Sequence, residues 1–141
     1  MVSKFLANQV LVEFEPVSLV GEWLRITLNY NTGVAFGLFA NGGSWPLVVT
    51  GIIITSLAVW LFRAIHTGEL PPVAGWAVGM ILGGALANFL DRLPDGKVTD
   101  FIDVGIGTNR WPTSNFADIF ITLGVVLLLW SSFLAKPKKE A

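Results

Sequence analysis

Three apolar runs of bilayer length, at 47–65, 72–90 and 116–135, leave this chain few ways to fold. About 20 apolar residues can cross the hydrocarbon core as a helix, because a helix satisfies its backbone polar groups within itself. The whole chain agrees with its runs. Of its 141 residues 53% are hydrophobic and only 13% charged, against about 25% charged in soluble domains. The fold class that follows is an α-helical integral membrane protein, one membrane domain over 1–141 with three complete transmembrane helices.

The same inventory excludes several chemistries. There is no Cys, so disulfides, thiolate catalysis and Cys-based metal sites are absent. The one imidazole, His66, stands beside Thr67, Gly68 and Glu69 just after the first run and reads as a solvated loop residue. A net charge of −1 offers no basic field for nucleic acid. Asp95, Asp100 and Asp103 could offer oxygen ligands to a hard cation, but without EF-hand spacing no metal is expected.

Taken in order, residues 1–12 are apolar but too short to span, and no signal-peptide cleavage pattern follows them. Over 12–43 the pattern changes. Leu24, Ile26, Leu28 and Tyr30 alternate with Arg25, Thr27 and Asn29, the period-2 signature of a half-buried strand, and turn residues at 15–16, 20–22 and 31–33 bound short strands. This segment is expected to be a small extramembrane β-sheet. Phe36, Leu38, Phe39 and Trp45 then lead toward lipid, with the aromatics among them marking the interface.

The runs at 47–65 and 72–90 have a short connection and form an antiparallel hairpin, with Pro71 and Pro72 tolerated at a helix start. Gly75, Gly79, Gly83 and Ala87 recur every four residues, a small-residue stripe expected to be a packing face. After it, 93–114 is polar, with a turn at Pro94, Asp95 and Gly96 and a short strand at 98–104. Arg63, Lys136, Lys138 and Lys139 put the interspan loop and the C-terminus in the cytoplasm by the positive-inside rule, and the sheet and acid-bearing loop outside.

That outer loop and its flanks, 88–118, carry Asp91, Asp95, Asp100, Asp103 and Asp118, half of the acids. An ionisable group close to a bilayer is a functional hypothesis by default. Without Cys, a useful His or a Ser-Lys dyad, hydrolysis here would use carboxylates: two Asp in contact share a proton, one activating water and the other polarising a carbonyl. The residues alone leave a carboxylate pair, solvated loop acids and the ion-coupling acids of a small transporter or channel subunit all open.

Four motifs in order go further: Asn31-Thr32-Gly33-Val34-Ala35-Phe36, Gly83-Gly84-Ala85-Leu86-Ala87-Asn88-Phe89-Leu90-Asp91-Arg92, Val98-Thr99-Asp100-Phe101-Ile102 and Asn115-Phe116-Ala117-Asp118. Together they resemble lipoprotein signal peptidase, the bacterial type II signal peptidase family. The resemblance implies a multi-pass aspartic endopeptidase of the bacterial inner membrane. Such an enzyme removes the signal peptide from prolipoproteins before a diacylglyceryl-modified cysteine, with no cofactor and no metal. It also implies a site at the periplasmic face, contact with membrane lipid, inhibition by globomycin-type antibiotics and a monomer.

Matched motif by motif, Asp100 and Asp118 correspond to the catalytic pair, and Asn31, Asn88, Asp91, Arg92 and Asn115 to residues that line and support the site. Asp91 with Arg92 is expected to be an ion pair, Asn115 to cap the last helix, and Asp95 and Asp103 to be solvated loop acids. The family has four spans, the first carrying an Asp four residues before a Lys. Lys4 matches that Lys, so this sequence is expected to lack most of one span through truncation, with a shortened or non-catalytic form as the other possibility. Ser114 stands where Phe is usual and is expected to loosen the loop; Ala87 stands for Gly and would add a methyl at a close helix contact.

Overall fold

The structure, a computed structural model, describes residues 1–32, 45–68 and 71–134. The expected interfacial residues Phe36, Leu38 and Phe39 and the basic tail lie outside the described residues. In chain order come α1 (Val2–Val10), β1 (Val17–Val20), β2 (Leu24–Asn31), α2 (Trp45–His66), α3 (Pro72–Arg92), β3 (Val98–Ile106), β4 (Asn109–Arg110) and α4 (Phe116–Leu134).

Helices α2 and α3 are long and apolar enough to cross a membrane, with mean hydropathy 2.0 and 1.7. Only 6% and 22% of those stretches are buried within the protein, so their apolar surface is turned outward, the opposite of a soluble core helix. In α4 the described apolar stretch, Phe116–Ser131, is shorter. Its outward residues are nonetheless large and apolar: Leu123, Val126, Leu129 and Trp130 are all exposed. Pro71 caps α3 and Pro72 opens it, where the missing N–H has no helical partner to lose. Gly51, near the start of α2, lies against the Phe89 ring near the end of α3, which sets the two helices antiparallel.

The seam between α3 and α4 is tighter than any other helix contact described, and glycine makes it so. A Cβ on Gly84 would sit 2.5 Å from the Ala117 carbonyl oxygen, and one on Gly124 would sit 2.6 Å from that of Ala77. Among the described residues this contact does not use the expected stripe. Gly75, Gly79 and Gly83 have nothing among the described residues within 4 Å of a Cβ, and Gly79, Gly83 and Ala87 line an open apolar cavity of about 810 Å³ beside α1. Four-residue spacing identifies a helix face but not what covers it, and the close partner uses the face one residue on.

The sheet is antiparallel, ordered β1-β2-β3-β4. It is not confined to 12–43: β2 pairs along its length with β3, from Leu24 opposite Val104 to Asn31 opposite Val98. The alternation in β2 marked a real strand whose partner lies across two helices in sequence. Gly21, at φ +53, takes the left-handed position in the β1–β2 turn. One sheet face packs on α1, where Ala7, Leu28 and Phe101 form a small buried core with Leu11, Tyr30 and Ile102 against it.

Asp103 departs from its expected role as a solvated acid. It is 7% exposed, accepts from the Thr27 hydroxyl at 3.0 Å and pairs with Arg110 at 2.9 Å. Asp95 does stay exposed, turning the chain by accepting the Lys97 N–H. Ser114 is anchored by paired backbone bonds to Ile102, at 2.7 and 2.9 Å, so the loop is not loosened there.

Candidate active site

Asp100 lies on β3 opposite Asn29, where the sheet meets the start of α4. It is 1% exposed, and its Oδ1 accepts from Asn115 Nδ2 at 2.6 Å. The Asn31 side chain also hydrogen-bonds it. Burial pushes the Asp100 carboxyl up from its ordinary value; the two asparagine bonds oppose the shift, the negative charge of Asp118 adds to it and the positive charge of Lys4 opposes it. A cleft of about 280 Å³ opens on Asp100, walled by Asn29, Asn31 and Thr113.

Asn115 is buried completely and is the N-cap of α4. Its Oδ1 accepts the N–H groups of Ala117 at 2.8 Å and Asp118 at 3.3 Å. Asp118 answers by accepting the Asn115 N–H on Oδ2 at 3.0 Å, so the two residues close a reciprocal capping box. An acid in the first helical turn also lies at the positive end of the helix dipole. The other Asp118 oxygen, Oδ1, accepts Asn88 Nδ2 at 2.7 Å. Each Asp118 oxygen thus accepts one donor.

Asn88 and Asp91 project from the last turn of α3, three residues apart and so on one face. Asp91 does not pair with its neighbour Arg92. Among the described residues its cation is Lys4, at 2.9 Å, and it accepts the Thr99 N–H at 2.6 Å. A neighbouring residue on a helix points some 100° away, which is why adjacency in sequence did not become a pair. Arg92 has a buried Nε with no hydrogen-bond partner among the described residues. Asn31, Asn88, Asp91, Asn115, Asp100 and Asp118 are thus drawn into one polar cluster, which Arg92 adjoins through α3 without a bond to it among those described.

Lys4, Asn8 and Thr99 belong to the same cluster and were not singled out as site residues. Lys4 is 3% exposed and also donates to Asn88 Oδ1 at 2.6 Å. Asn8 donates to the Thr99 hydroxyl and accepts from Tyr30. The available signal was Lys4 itself, the one cation in an otherwise apolar stretch, which burial makes costly unless it is paired. Chemically, the arrangement brings together one carboxyl that burial pushes up from its ordinary value and another whose two oxygens both accept hydrogen bonds. That is the acid and base complement for adding water to an amide.

The family model for signal peptidase (SPase) II matches residues 1–134. The lipoprotein signal peptidase of Hydrogenovibrio crunogenus is 37% identical over 143 residues, covering 99% of this chain and 81% of that protein. That of Francisella tularensis subsp. novicida is 38% identical over 138 residues, covering 96% and 85%. Two solved structures, each described as a bacterial membrane enzyme, superpose with TM-scores of 0.80 and 0.78 at 26% and 27% identity. They cover 99% of this chain and 83% and 85% of their own.

Proposed function

The chain belongs to the signal peptidase II family, and from that premise we propose that Asp100 and Asp118 are its catalytic pair. The enzyme is a membrane aspartic protease that removes signal peptides from prolipoproteins. What carries the assignment of the pair is Asn115, one buried side chain whose amide bonds Asp100 while its backbone N–H bonds Asp118.

In the reaction, ionised Asp118 takes a proton from water as the oxygen attacks the scissile carbonyl carbon. Protonated Asp100 donates to the carbonyl oxygen, giving a neutral gem-diol. Asp100, now ionised, recovers a proton from that hydroxyl as the C–N bond breaks, and Asp118 passes its proton to the leaving nitrogen. The pair returns to its starting state, and the burial that favours protonated Asp100 prepares that state before substrate arrives. Asn31, Asn88, Asp91, Arg92 and Asn115 line and support the site, and no cofactor enters the scheme.

The scissile bond precedes a diacylglyceryl-modified cysteine, so the substrate's lipid lies at the membrane surface, level with the ends of α3 and α4. The whole chain acts as one monomeric membrane domain with α4 as a third span. Arg63 in the last turn of α2, with Lys136, Lys138 and Lys139, places the end of α2 and the C-terminus in the cytoplasm and the acid pair at the periplasmic face of the inner membrane. Globomycin-type inhibitors compete at the pair. The test is cleavage of a lipidated prolipoprotein in detergent by wild type, Asp100→Asn and Asp118→Asn. Each variant loses activity by at least about 1,000-fold; wild-type rates in both would sink the assignment.

A further inference from the structure

We propose that Lys4 is a positioning residue for the acid pair, acting on Asp118 through the side-chain amide of Asn88. The proposal rests on the assignment of Asp118 above, and the experiment below separates the two.

A carboxamide is nearly symmetric in shape. Its oxygen and nitrogen are nearly equal in size, so sterics do not choose which way Asn88 points; donors and acceptors choose. Asn88 Oδ1 accepts from Lys4 Nζ at 2.6 Å and from Asn115 Nδ2 at 3.2 Å, and its Nδ2 donates to Asp118 Oδ1 at 2.7 Å. Reversed, the amide would set N–H against the ammonium and oxygen against the carboxylate. An ammonium has three donors and no acceptor, so it tolerates only the first arrangement.

Lys4, the shorter of the two donors on Asn88 Oδ1, therefore reinforces with Asn115 the commitment of the Asn88 N–H to Asp118 without touching Asp118 itself. Lys4 is in turn held by Asp91 at 2.9 Å, and Asp91 by the Thr99 N–H at 2.6 Å, one residue before Asp100. The chain of bonds runs from α1 through α3 to the first turn of α4, and back to β3. Four of the elements that carry the site are tied through this one buried cation. An Asn88 free to reverse would present its oxygen to Asp118 for part of the time and remove the donor that orients the base.

The test is a double-mutant cycle on the full chain in detergent, with Lys4→Met, Asn88→Ala and both together, assayed on a lipidated prolipoprotein. Lys4→Met is expected to lower kcat by about 100-fold, with KM changed less than about threefold. In the Asn88→Ala background Lys4→Met is expected to cost little more, because the relay is already cut. Lys4→Arg, which keeps a donor-only head group, is expected to recover at least about tenfold of the loss.

Since Lys4→Met strands the Asp91 charge, the cycle is repeated in an Asp91→Asn background, where no unpaired carboxylate threatens the fold. The same non-additivity is expected there. Equal Lys4→Met losses with and without Asn88, or a loss confined to melting temperature or KM, would overturn the proposal. If Asp118→Asn abolishes cleavage while the cycle is additive, the Lys4 role alone falls. If Asp118→Asn cleaves like wild type, both fall.

Discussion

Replacing Gly84 by Ala tests how closely the site depends on the seam between α3 and α4. The added Cβ would meet the Ala117 carbonyl oxygen at 2.5 Å, Ile121 Cγ1 at 2.7 Å and the Ala117 carbonyl carbon at 3.3 Å. The Ile side chain can rotate, but a backbone carbonyl inside a helix cannot. A carbon–oxygen contact settles at about 3.3 Å, so α4 must retreat by roughly 0.8 Å at that point. Overpacking of this kind costs about 1 to 3 kcal/mol, read as a fall of several degrees in melting temperature by tryptophan fluorescence. Ala117 immediately precedes Asp118, so the same displacement carries the proposed base away from Asp100 on the sheet. A misplacement near 1 Å can cost about 100-fold in rate, and kcat for a lipidated prolipoprotein should fall by tens of fold or more. Gly124→Ala supplies the internal control: its Cβ would be 2.6 Å from the Ala77 oxygen, on the same seam but about 10 Å further along α4. It should lose comparable stability and less activity. Gly79→Ala, with nothing within 4 Å, should lose neither. A Gly84→Ala protein with wild-type melting and turnover, or a Gly79→Ala protein as damaged as Gly84→Ala, would refute the reasoning.

Two further outcomes follow from the buried acids. Between the usual carboxylate value and the raised value of Asp100, the folded state holds a proton that the unfolded chain has released, so stability falls as pH rises through that window. Asp100→Asn keeps the shape without the charge. At pH 7 it should be more stable than wild type by about 1 kcal/mol, with the advantage shrinking toward acid in melting curves, while cleavage is lost. Asn115→Ser keeps a capping hydroxyl but drops the bonds to Asp100 and Asn88, so turnover should fall with melting nearly unchanged; Asn115→Ala also loses the cap, at about 1 to 2 kcal/mol. Equal melting temperatures for the Ser and Ala variants would remove the cap from this account.

How far the sequence could be read depended on the range of each interaction. Local periodicity and hydropathy located β2 and the apolar helices to within a few residues, because a strand's alternation and a span's length are written in consecutive positions. The Asn115 and Asp118 cap was legible for the same reason: its bonds cross three residues. Partners across the fold were not legible. Lys4 meets Asn88 from 84 positions away, and Asp103 joins Thr27 from 76. Asp103 therefore looked like a loop acid, and Lys4 like an isolated cation. The glycine stripe shows the intermediate case, in which a face could be read but its neighbour could not.

The capping box on α4 also bears on how this enzyme fails when warmed. Helix ends open before helix centres, at free energies well below global unfolding. Here the end that opens carries Asp118, and the residue released with it, Asn115, is the one that holds Asp100. Heat should therefore silence the enzyme while the apolar helices are still intact. Cooling would restore it without any need to refold the membrane-embedded part.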